Sequence, residues 1–299
     1  MNTRANFARQ ALEMEMIRLR HWQHIMNEDL KKKLFTVPIH VAFGSEAIAV
    51  AVSNIMTSDD QLALTHRNMA YNLARAGALK PVYEEYKLSG SGVSGGRMGS
   101  MNMVNPARGI VYSSSTLGNN FSVACGLALA KRAKREPGVV IVTTGDGAME
   151  EGGFYEALVF AKSQRLKLMI VVENNNHSMS STIEQRRCDI AIEKMCEAVN
   201  VRYKLLATND VFEYVPVLSA LRTHADEQAT PLCVEAKLAL MNQHAGPTPG
   251  WPADPMNVDI KNGMVVRDSV DDPLHVLKQT IGAAEFDKLA AQVSSQKWN

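Results

Sequence analysis

Two short polar motifs, each placed directly after a run of β-branched and aliphatic residues, constrain this chain most. The first run, Val139 to Thr144 (VVIVTT), leads into Gly-Asp-Gly at 145–147, and the second, Leu168 to Glu173 (LMIVVE), leads into Asn-Asn-Asn at 174–176. Short apolar runs of this kind are typical of buried strands in parallel sheets. Gly153 to Gln164, between them, has a helical pattern. The segment therefore predicts a right-handed βαβ unit.

The residues that follow these two strands predict a site for a metal ion and a phosphate group. In an open parallel sheet, ligands bind beyond the carboxyl ends of the strands, so Asp146 and Asn175 should project into one crevice. Carboxylate and amide oxygens suit Mg²⁺. The flanking glycines allow close approach of the backbone, and the next helix would aim its first amides at a diphosphate. Singly, each motif also fits an ordinary turn, and only their pairing on one βαβ unit is specific.

The rest of the chain predicts an α/β fold with a doubly wound parallel sheet. A further strand is predicted at Leu232 to Leu240. Because no internal repeat or linker separates the elements, we expect one domain over 1–299, with an N-terminal helical arm at 6–29 and a C-terminal helical segment at 272–293. The other predicted helices are Ser45 to Met56, Ser122 to Arg135, Ile190 to Val199 and Val211 to Ala225.

One segment, Leu88 to Ser100 (LSGSGVSGGRMGS), is too rich in glycine and serine to form a regular element. Long irregular loops inside a compact domain are usually functional. We therefore expect a ligand or a partner protein to order it.

Composition excludes several classes of protein. The net charge of +1 favours neither a nucleic-acid binder nor a membrane-surface protein. The N-terminus lacks the apolar core of a signal peptide, and no apolar run reaches the ~18 residues of a membrane-spanning helix. The four cysteines form no Cys-x-x-Cys pair, which argues against a zinc site or a disulfide framework and predicts a cytoplasmic protein. A Rossmann dehydrogenase is disfavoured too, since no Gly-x-Gly-x-x-Gly follows a strand.

The stretch GDGAMEEGGFYEAL…LKLMIVVENN resembles the alpha subunit of the decarboxylating component of 2-oxo acid dehydrogenase complexes, a thiamine-diphosphate enzyme. The resemblance implies that thiamine diphosphate binds through Mg²⁺. It implies that the side chains of Asp146 and Asn175 and the carbonyl of His177 bind the metal. The backbone positions implied at the diphosphate are Gly145, Gly147 and Ala148.

Further segments carry the same resemblance. The segment from His40 to Glu46 and the next alanine (HVAFGSEA) is similar to the family's H…GQEA signature. The pair His66-Arg67 lies at the position where the family has a Tyr-Arg pair that binds the diphosphate. A permanently charged guanidinium suits that position. The backbone of Ser115 and Leu117 would hold the aminopyrimidine ring. His244 matches a family histidine near the diphosphate, with a cofactor-binding and a catalytic role implied.

Several positions depart from the family pattern. Asn102 stands at a catalytic position where the family has a histidine, which removes a candidate proton donor, and Leu240 replaces an arginine. Ser115 to Gly126 and Glu151-Gly152 resemble transketolases instead. Three functions stay open: decarboxylation of a 2-oxo acid with transfer to a lipoyl-bearing acyltransferase, split transketolase-like transfer from a ketose to an aldehyde, and a non-catalytic scaffold.

The chain leaves no room for the pyrimidine-binding domain that this superfamily requires. A second doubly wound sheet needs ~100–150 residues, and too few follow Asp254. The resemblance therefore implies a separate beta-type subunit in an α2β2 assembly, with the active site at the interface.

Overall fold

A parallel sheet of six strands forms the centre of the computed structural model, which describes residues 2–242, 244–245 and 264–296, with side chains from Arg9 onward. The strand order is β2-β1-β3-β4-β8-β7, and each neighbouring pair is parallel. The predicted doubly wound α/β fold is confirmed. The strands are β1 Gln61–Thr65, β2 Ile110–Ser114, β3 Val140–Gly145, β4 Leu168–Asn174, β7 Arg202–Leu206 and β8 Leu232–Lys237, and a small antiparallel hairpin consists of β5 His177–Ser178 and β6 Ser181–Thr182.

Eleven helices among the described residues accompany the sheet. Most follow the predicted ranges to within a few residues, but α3, α4 and α7 were not predicted. The helices are α1 Asn2–Lys31, α2 Glu46–Ile55, α3 Met69–Ala76, α4 Lys80–Tyr86, α5 Asn119–Lys134, α6 Gly153–Ser163, α7 Ile183–Arg186, α8 Ile192–Ala198, α9 Val211–Gln228, α10 Pro273–Ile281 and α11 Ala283–Ser295. Within the described residues, none combines the length and apolar character that a membrane span requires.

The two faces of the sheet bury separate hydrophobic cores. Along β3, Ile141 belongs to one core, while Val140 and Val142 belong to the other. Side chains alternate between the two faces of a strand, so a strand buried on both faces has to be apolar at nearly every position. This double burial explains why the apolar runs of β3, β4 and β8 were recognisable in the sequence.

Three strands of the six-stranded sheet, and the two strands of the hairpin, were not predicted. β1 (QLALT), β2 (IVYSS) and β7 (RYKLL) are five residues long each, and polar or charged residues break their apolar character. β2 and β7 are the edge strands of the sheet and are only partly buried. Partial burial relaxes the demand for apolar side chains, so their patterns stay weak.

The two ends of the chain are joined by a buried ionic cluster. Arg20 on α1 donates to Glu46 at 2.6 and 3.0 Å and to Asp272, the residue that caps α10, at 2.8 Å. All three side chains are fully buried. The predicted C-terminal helical segment is divided at Gly282, whose φ of +87° interrupts the helix.

The glycine-rich loop at 88–100 is ordered from within the chain. The carboxylate of Glu85, at the end of α4, accepts hydrogen bonds from the backbone amides of Ser94, Gly96 and Met98 at 2.8, 2.8 and 2.9 Å. Glu85 is fully buried. The loop therefore has an ordering group within the chain, because the carboxylate of Glu85 replaces the missing secondary structure as a hydrogen-bond acceptor; the expected ligand or partner stays a prediction.

Candidate active site

A cleft of about 370 Å³ opens at the carboxyl end of the sheet. Its walls include residues at the carboxyl ends of four strands: Thr65 of β1, Ser114 of β2, Gly145 of β3 and Glu173 of β4. From β1 the chain continues to β2 on one side, whereas from β3 it continues to β4 on the other side. The cleft therefore lies where the strand order changes direction. Ligands of doubly wound proteins bind at this switch point.

Most of the residues predicted for the site come together here. Two predicted residues are not among those that line the cleft: Asp146 lies next to it between two lining glycines, and Asn102 is exposed outside it. The structure thus does not bring Asn102 to the cleft. The predicted residues that line it are His66, Arg67, Ser115, Leu117, Gly145, Gly147, Ala148, Asn175, His177 and His244.

Asp146 carries a buried carboxylate with one oxygen unsatisfied. It begins the 3₁₀ turn Asp146–Glu150 directly after β3 and is 1 % exposed. Its Oδ2 accepts a hydrogen bond from Arg186 at 2.9 Å, while Oδ1 has no hydrogen-bond partner among the described residues. Burial raises the pKa of Asp146, and Arg186 opposes that shift. A buried acceptor without a partner is costly, so this oxygen fits a metal ion.

Asn175 and His177 form a tight turn beside Asp146. The β3–β4 register pairs Gly145 with Glu173, so the residues after the two strands emerge side by side. Asn175 Oδ1 accepts from the backbone amide of His177 at 2.9 Å, and His177 Nδ1 lies 3.1 Å from the Asn175 carbonyl oxygen. Both residues line the cleft, so the three predicted metal ligands share one neighbourhood.

Gly147 permits the close contact between the turn after β3 and the β5–β6 hairpin. A Cβ atom at this position would lie 2.5 Å from Oγ and 2.7 Å from Cβ of Ser178. Any larger residue would therefore overlap the side chain of Ser178 on the hairpin, so the contact requires a glycine.

Arg67 places a buried positive charge at the cleft. Its guanidinium donates to the carbonyl oxygens of Val41 at 2.7 Å and His244 at 3.0 Å. Burial lowers the pKa of Arg67 to about 10, while the charge of Glu173 opposes this shift. The side chain therefore stays cationic at neutral pH, held by carbonyl groups and available to an anion.

Three histidines meet beside Arg67. The ring centroids of His40, His66 and His244 lie 4.8, 5.0 and 5.2 Å apart in pairs. Burial and then the charge of Arg67 lower their pKa values to about 2, 3 and 4 respectively, with the neighbouring histidines adding to the shift for His40 and His66. All three imidazoles are thus neutral at pH 7. His40 was noted only within a sequence motif, and the tertiary fold makes it part of the cleft.

Glu173 was missed as a site residue. It ends the buried part of β4, lines the cleft and accepts a hydrogen bond from Tyr71 at 2.5 Å. Burial raises the pKa of Glu173 to about 7, against the opposing effects of Tyr71 and Arg67. The sequence contained an indication of its role, since an acidic residue at the end of a buried apolar strand needs a hydrogen-bonding or charged partner. Tyr71, its partner, carried no such signal.

Comparison with known proteins identifies the family. The family model described as "Dehydrogenase E1 component" matches residues 14–248. A relative from Bacillus subtilis, the alpha subunit of acetoin:2,6-dichlorophenolindophenol oxidoreductase, is 27 % identical over 187 residues, which cover 62 % of this chain and 56 % of that protein. Mitochondrial alpha subunits of the pyruvate dehydrogenase E1 component are similar too. The one from Dictyostelium discoideum is 27 % identical over 168 residues, covering 56 % of this chain and 44 % of that protein.

A third relative, the mitochondrial alpha-1 subunit of the pyruvate dehydrogenase E1 component from Oryza sativa, is 30 % identical over 151 residues, covering 50 % of this chain and 39 % of that protein. This chain thus spans about half the length, or less, of the curated relatives it matches. The family match covers most of the chain and includes both strand-end motifs and the His40 segment. The resemblance seen in the sequence is confirmed, and the chain belongs to the dehydrogenase E1 component family.

Proposed function

We propose that this chain is the alpha-type subunit of a thiamine-diphosphate enzyme that cleaves a carbon–carbon bond next to a carbonyl, most simply by decarboxylating a 2-oxo acid and transferring the acyl group. One observation carries the proposal. The orphaned, buried Oδ1 of Asp146 lies between two cleft-lining glycines, beside Asn175 and at the same cleft as the cationic Arg67. A subunit with no metal or diphosphate to bind has no use for this combination.

The residues present fit the cofactor and its metal. Asp146, Asn175 and the carbonyl of His177 offer the hard oxygen atoms that Mg²⁺ prefers. Gly147 and Ala148 bring backbone amides to the diphosphate, and Arg67 neutralises part of its charge. Ser115 and Leu117 also line the cleft, and we place the aminopyrimidine ring beside them. When bound, thiamine diphosphate supplies the nucleophilic carbon and the electron sink for the bond cleavage.

The histidine cluster supplies hydrogen-bond donors and acceptors to this site. Asn102 lies outside the cleft, whereas His40, His66 and His244 are neutral and line it. A neutral imidazole both donates and accepts a hydrogen bond. Their N–H groups, together with Arg67, suit a substrate that carries a carboxylate and a carbonyl oxygen. We assign His244 the catalytic role, with His66 orienting the diphosphate.

A beta-type subunit completes the active site in our proposal. Two apolar side chains that line the cleft are strongly exposed, Leu117 at 47 % and Met179 at 55 %. On α6, which starts next to the cleft, Tyr155 in the first turn is 52 % exposed. Large exposed apolar side chains in one region mark protein interaction surfaces. Their position supports a partner that closes the cleft, in an α2β2 assembly.

A lipoyl-bearing acyltransferase is the acceptor that we propose for the acyl group. The setting that we propose is the cytoplasm, which the four free cysteines support. The transketolase-like alternative is supported by the resemblance of Ser115 to Gly126 to transketolases. The scaffold alternative predicts that the subunit binds no cofactor.

Native mass spectrometry on the complex, purified gently from its own host, tests the proposal. We expect a second subunit of similar size, with thiamine diphosphate and Mg²⁺ released on denaturation. The same sample is then assayed for CO₂ release from a panel of 2-oxo acids with an artificial electron acceptor, and for ketol transfer from a ketose to an aldehyde. A cofactor-free homo-oligomer contradicts the proposal and favours the scaffold, while ketol transfer without CO₂ release favours the transketolase-like function.

Site variants separate the cofactor site from the general fold. Asp146→Ala should abolish Mg²⁺-dependent binding of thiamine diphosphate, measured by calorimetry. Asp189→Ala, which removes an exposed carboxylate elsewhere, is the matched control and should bind normally. Equal cofactor binding by both variants would contradict the assignment of Asp146.

A further inference from the structure

A second cavity, of about 510 Å³, lies at the opposite end of the sheet. Small residues such as Ala128, Pro137 and Ala229 form part of its wall. Five cationic side chains and a single carboxylate also line it: Lys131, Arg132, Arg135, Arg165, Lys167 and Glu136. The whole chain has a net charge of only +1, so this cationic cavity is a local concentration of charge and not the reflection of a basic protein.

The cationic cavity is separate from the active site. Gly138, which lines it, lies two residues before β3, and Lys167 directly precedes β4. The active-site cleft uses Gly145 and Glu173 at the other ends of the same strands. At a rise of ~3.3 Å per residue, the length of β3 puts roughly 20 Å between the two sites. An occupant of the cationic cavity therefore cannot be the cofactor at its proposed position.

The cations of this cavity are only partly neutralised. Lys131 is 8 % exposed, and its ammonium donates to the carbonyl oxygen of Asp59 at 2.8 Å. Lys167 pairs with Asp226 at 2.6 Å. By contrast, the side chains of Arg135 and Arg165 make no hydrogen bond or ion pair with any part of the chain that the structure describes. Two exposed guanidinium groups thus remain available to an anion.

Helix ends explain part of the charge but not all of it. The helices α5, α6 and α9 all end near this cavity, and cations are favoured at helix C-termini. Each C-terminus carries about half a negative charge, so three contribute about −1.5. The charge of Lys167 is neutralised by Asp226. The four other cations are opposed only by the carboxylate of Glu136 and the partial charges of the helix ends. A positive excess remains.

We propose that the cationic cavity binds a small phosphate-bearing ligand. Arginine presents a planar fork of N–H donors that matches phosphate oxygens, and Arg135 and Arg165 would grip the phosphate from two sides. The buried ammonium of Lys131 lies at the same wall and adds a fixed positive charge. The volume is in the range of small-molecule sites, which favours a compact ligand over a long polyanion. This site goes beyond the proposed function and does not depend on it.

Calorimetry on the complex saturated with thiamine diphosphate and Mg²⁺ tests the proposal, because the cofactor then excludes phosphate from the active-site cleft. The probes are inorganic phosphate and adenosine 5′-monophosphate, titrated at constant ionic strength. We expect saturable binding, weakened at least tenfold in the double variant Arg135→Gln/Arg165→Gln. The double variant Lys194→Gln/Lys204→Gln removes the same charge from exposed positions elsewhere and should bind like the parent protein. Stronger binding of the monophosphate ester than of phosphate identifies a nucleotide as the ligand, and equal binding identifies the phosphate group itself.

Chemical protection locates the ligand without any variant. Phenylglyoxal modifies accessible arginines, and mass spectrometry identifies the modified positions. Phosphate should protect Arg135 and Arg165 and leave the exposed Arg202 reactive, whereas chloride at equal ionic strength should protect none of them. Absence of saturable binding, undiminished binding in the arginine variant, or protection by chloride alone would overturn the proposal.

Discussion

The guanidinium of Arg186 donates a hydrogen bond to Oδ2 of Asp146 at 2.9 Å and leaves Oδ1 of the same carboxylate without a partner among the described residues. Arg186 is itself held by Glu150 at 2.8 Å and by the carbonyl oxygen of Ser181 at 2.6 Å. One carboxylate oxygen is thus fixed from behind while the other stays available. Ligating carboxylates are commonly oriented in this way by groups that do not touch the metal.

Arg186→Ala should therefore weaken Mg²⁺ binding by about 10- to 100-fold, because Asp146 loses the contact that fixes its orientation. The measurement is the Mg²⁺ dissociation constant at saturating thiamine diphosphate, by calorimetry. High Mg²⁺ should restore the activity, and Arg186→Lys should recover part of the affinity. Arg202→Ala, on the exposed edge strand, is the control. If Arg186→Ala binds Mg²⁺ as the parent does, Arg186 plays no part in orienting Asp146.

Gly147→Ala should loosen the β5–β6 hairpin and reduce cofactor binding, because its Cβ would lie 2.5 Å from Oγ of Ser178. Overpacking of this kind costs about 1–3 kcal/mol. Gly152→Ala is a matched control, since a Cβ there meets no atom within 4 Å and the residue does not line the cleft. Thermal unfolding and cofactor titration provide the two readouts. The double variant Gly147→Ala/Ser178→Gly should recover stability, and a failure to recover would show that the contact is not the cause.

The histidine cluster should make the chain less stable in acid. The pKa of His66 is lowered to about 3 in the folded chain, whereas an unfolded histidine has a pKa of about 6.5. Between these values the unfolded state binds a proton that the folded state does not, so stability falls as the pH falls below about 6.5. His66→Gln should flatten the pH dependence by about 1.4 kcal/mol per pH unit between pH 4 and 6. Urea unfolding at several pH values measures this slope, and an unchanged slope would mean that His66 is charged in the folded state.

Removing the cation from the buried ionic cluster should destabilise the fold strongly. Arg20→Met leaves Glu46 and Asp272 buried together, and breaking such a cluster costs about 3–5 kcal/mol. Burial alone would raise the pKa of Asp272, but the charge and hydrogen bonds of Arg20 hold it below its ordinary value. The stabilising contribution of Asp272 is thus present above the unfolded pKa of about 3.9 and is lost as the pH falls through the lower, folded value. Denaturant unfolding at pH 7 checks the first effect, and Arg9→Met, a largely exposed arginine, is the control.

Glu85→Ala should release the glycine-rich loop. The variant removes the acceptor that three backbone amides of the loop share. The loop also contains the exposed Arg97, a potential cleavage site for trypsin. Brief digestion with trypsin should cut after Arg97 much faster in this variant than in the parent chain. Glu84→Ala removes a neighbouring carboxylate that bonds the side chains of Ser89 and Ser91, the latter at 3.2 Å, and no backbone amide of the loop, so it should be cut at the parent rate. Equal resistance of both variants would show that other contacts order the loop.

The sequence predicted the parts of the site that follow from local rules. β3 and β4 are buried on both faces, so nearly every residue is apolar, and the polar motifs that end them stand out. Because parallel strands end at one edge, the strand pattern alone was enough to place Asp146 and Asn175 together. The position of Arg67 came from family resemblance, not from its own sequence context.

Contacts between distant segments could not be read in this way. Tyr71 and Glu173 are 102 positions apart, and the three histidines come from separate loops. Asn102 was placed by its family motif alone, and in the folded loop its side chain is exposed and does not line the cleft, although the neighbouring Met101 does.

The sequence by itself determined the sheet's central strands, the fold class and the pair of motifs at the strand ends, because hydrophobic periodicity and turn chemistry act over a few neighbouring residues. Only the tertiary structure decided that Arg186 holds Asp146, that Glu85 orders the glycine-rich loop and that Arg135 and Arg165 share a cavity. Each of these depends on where whole helices and strands pack, and packing is set by the sum of many weak contacts that no local pattern records.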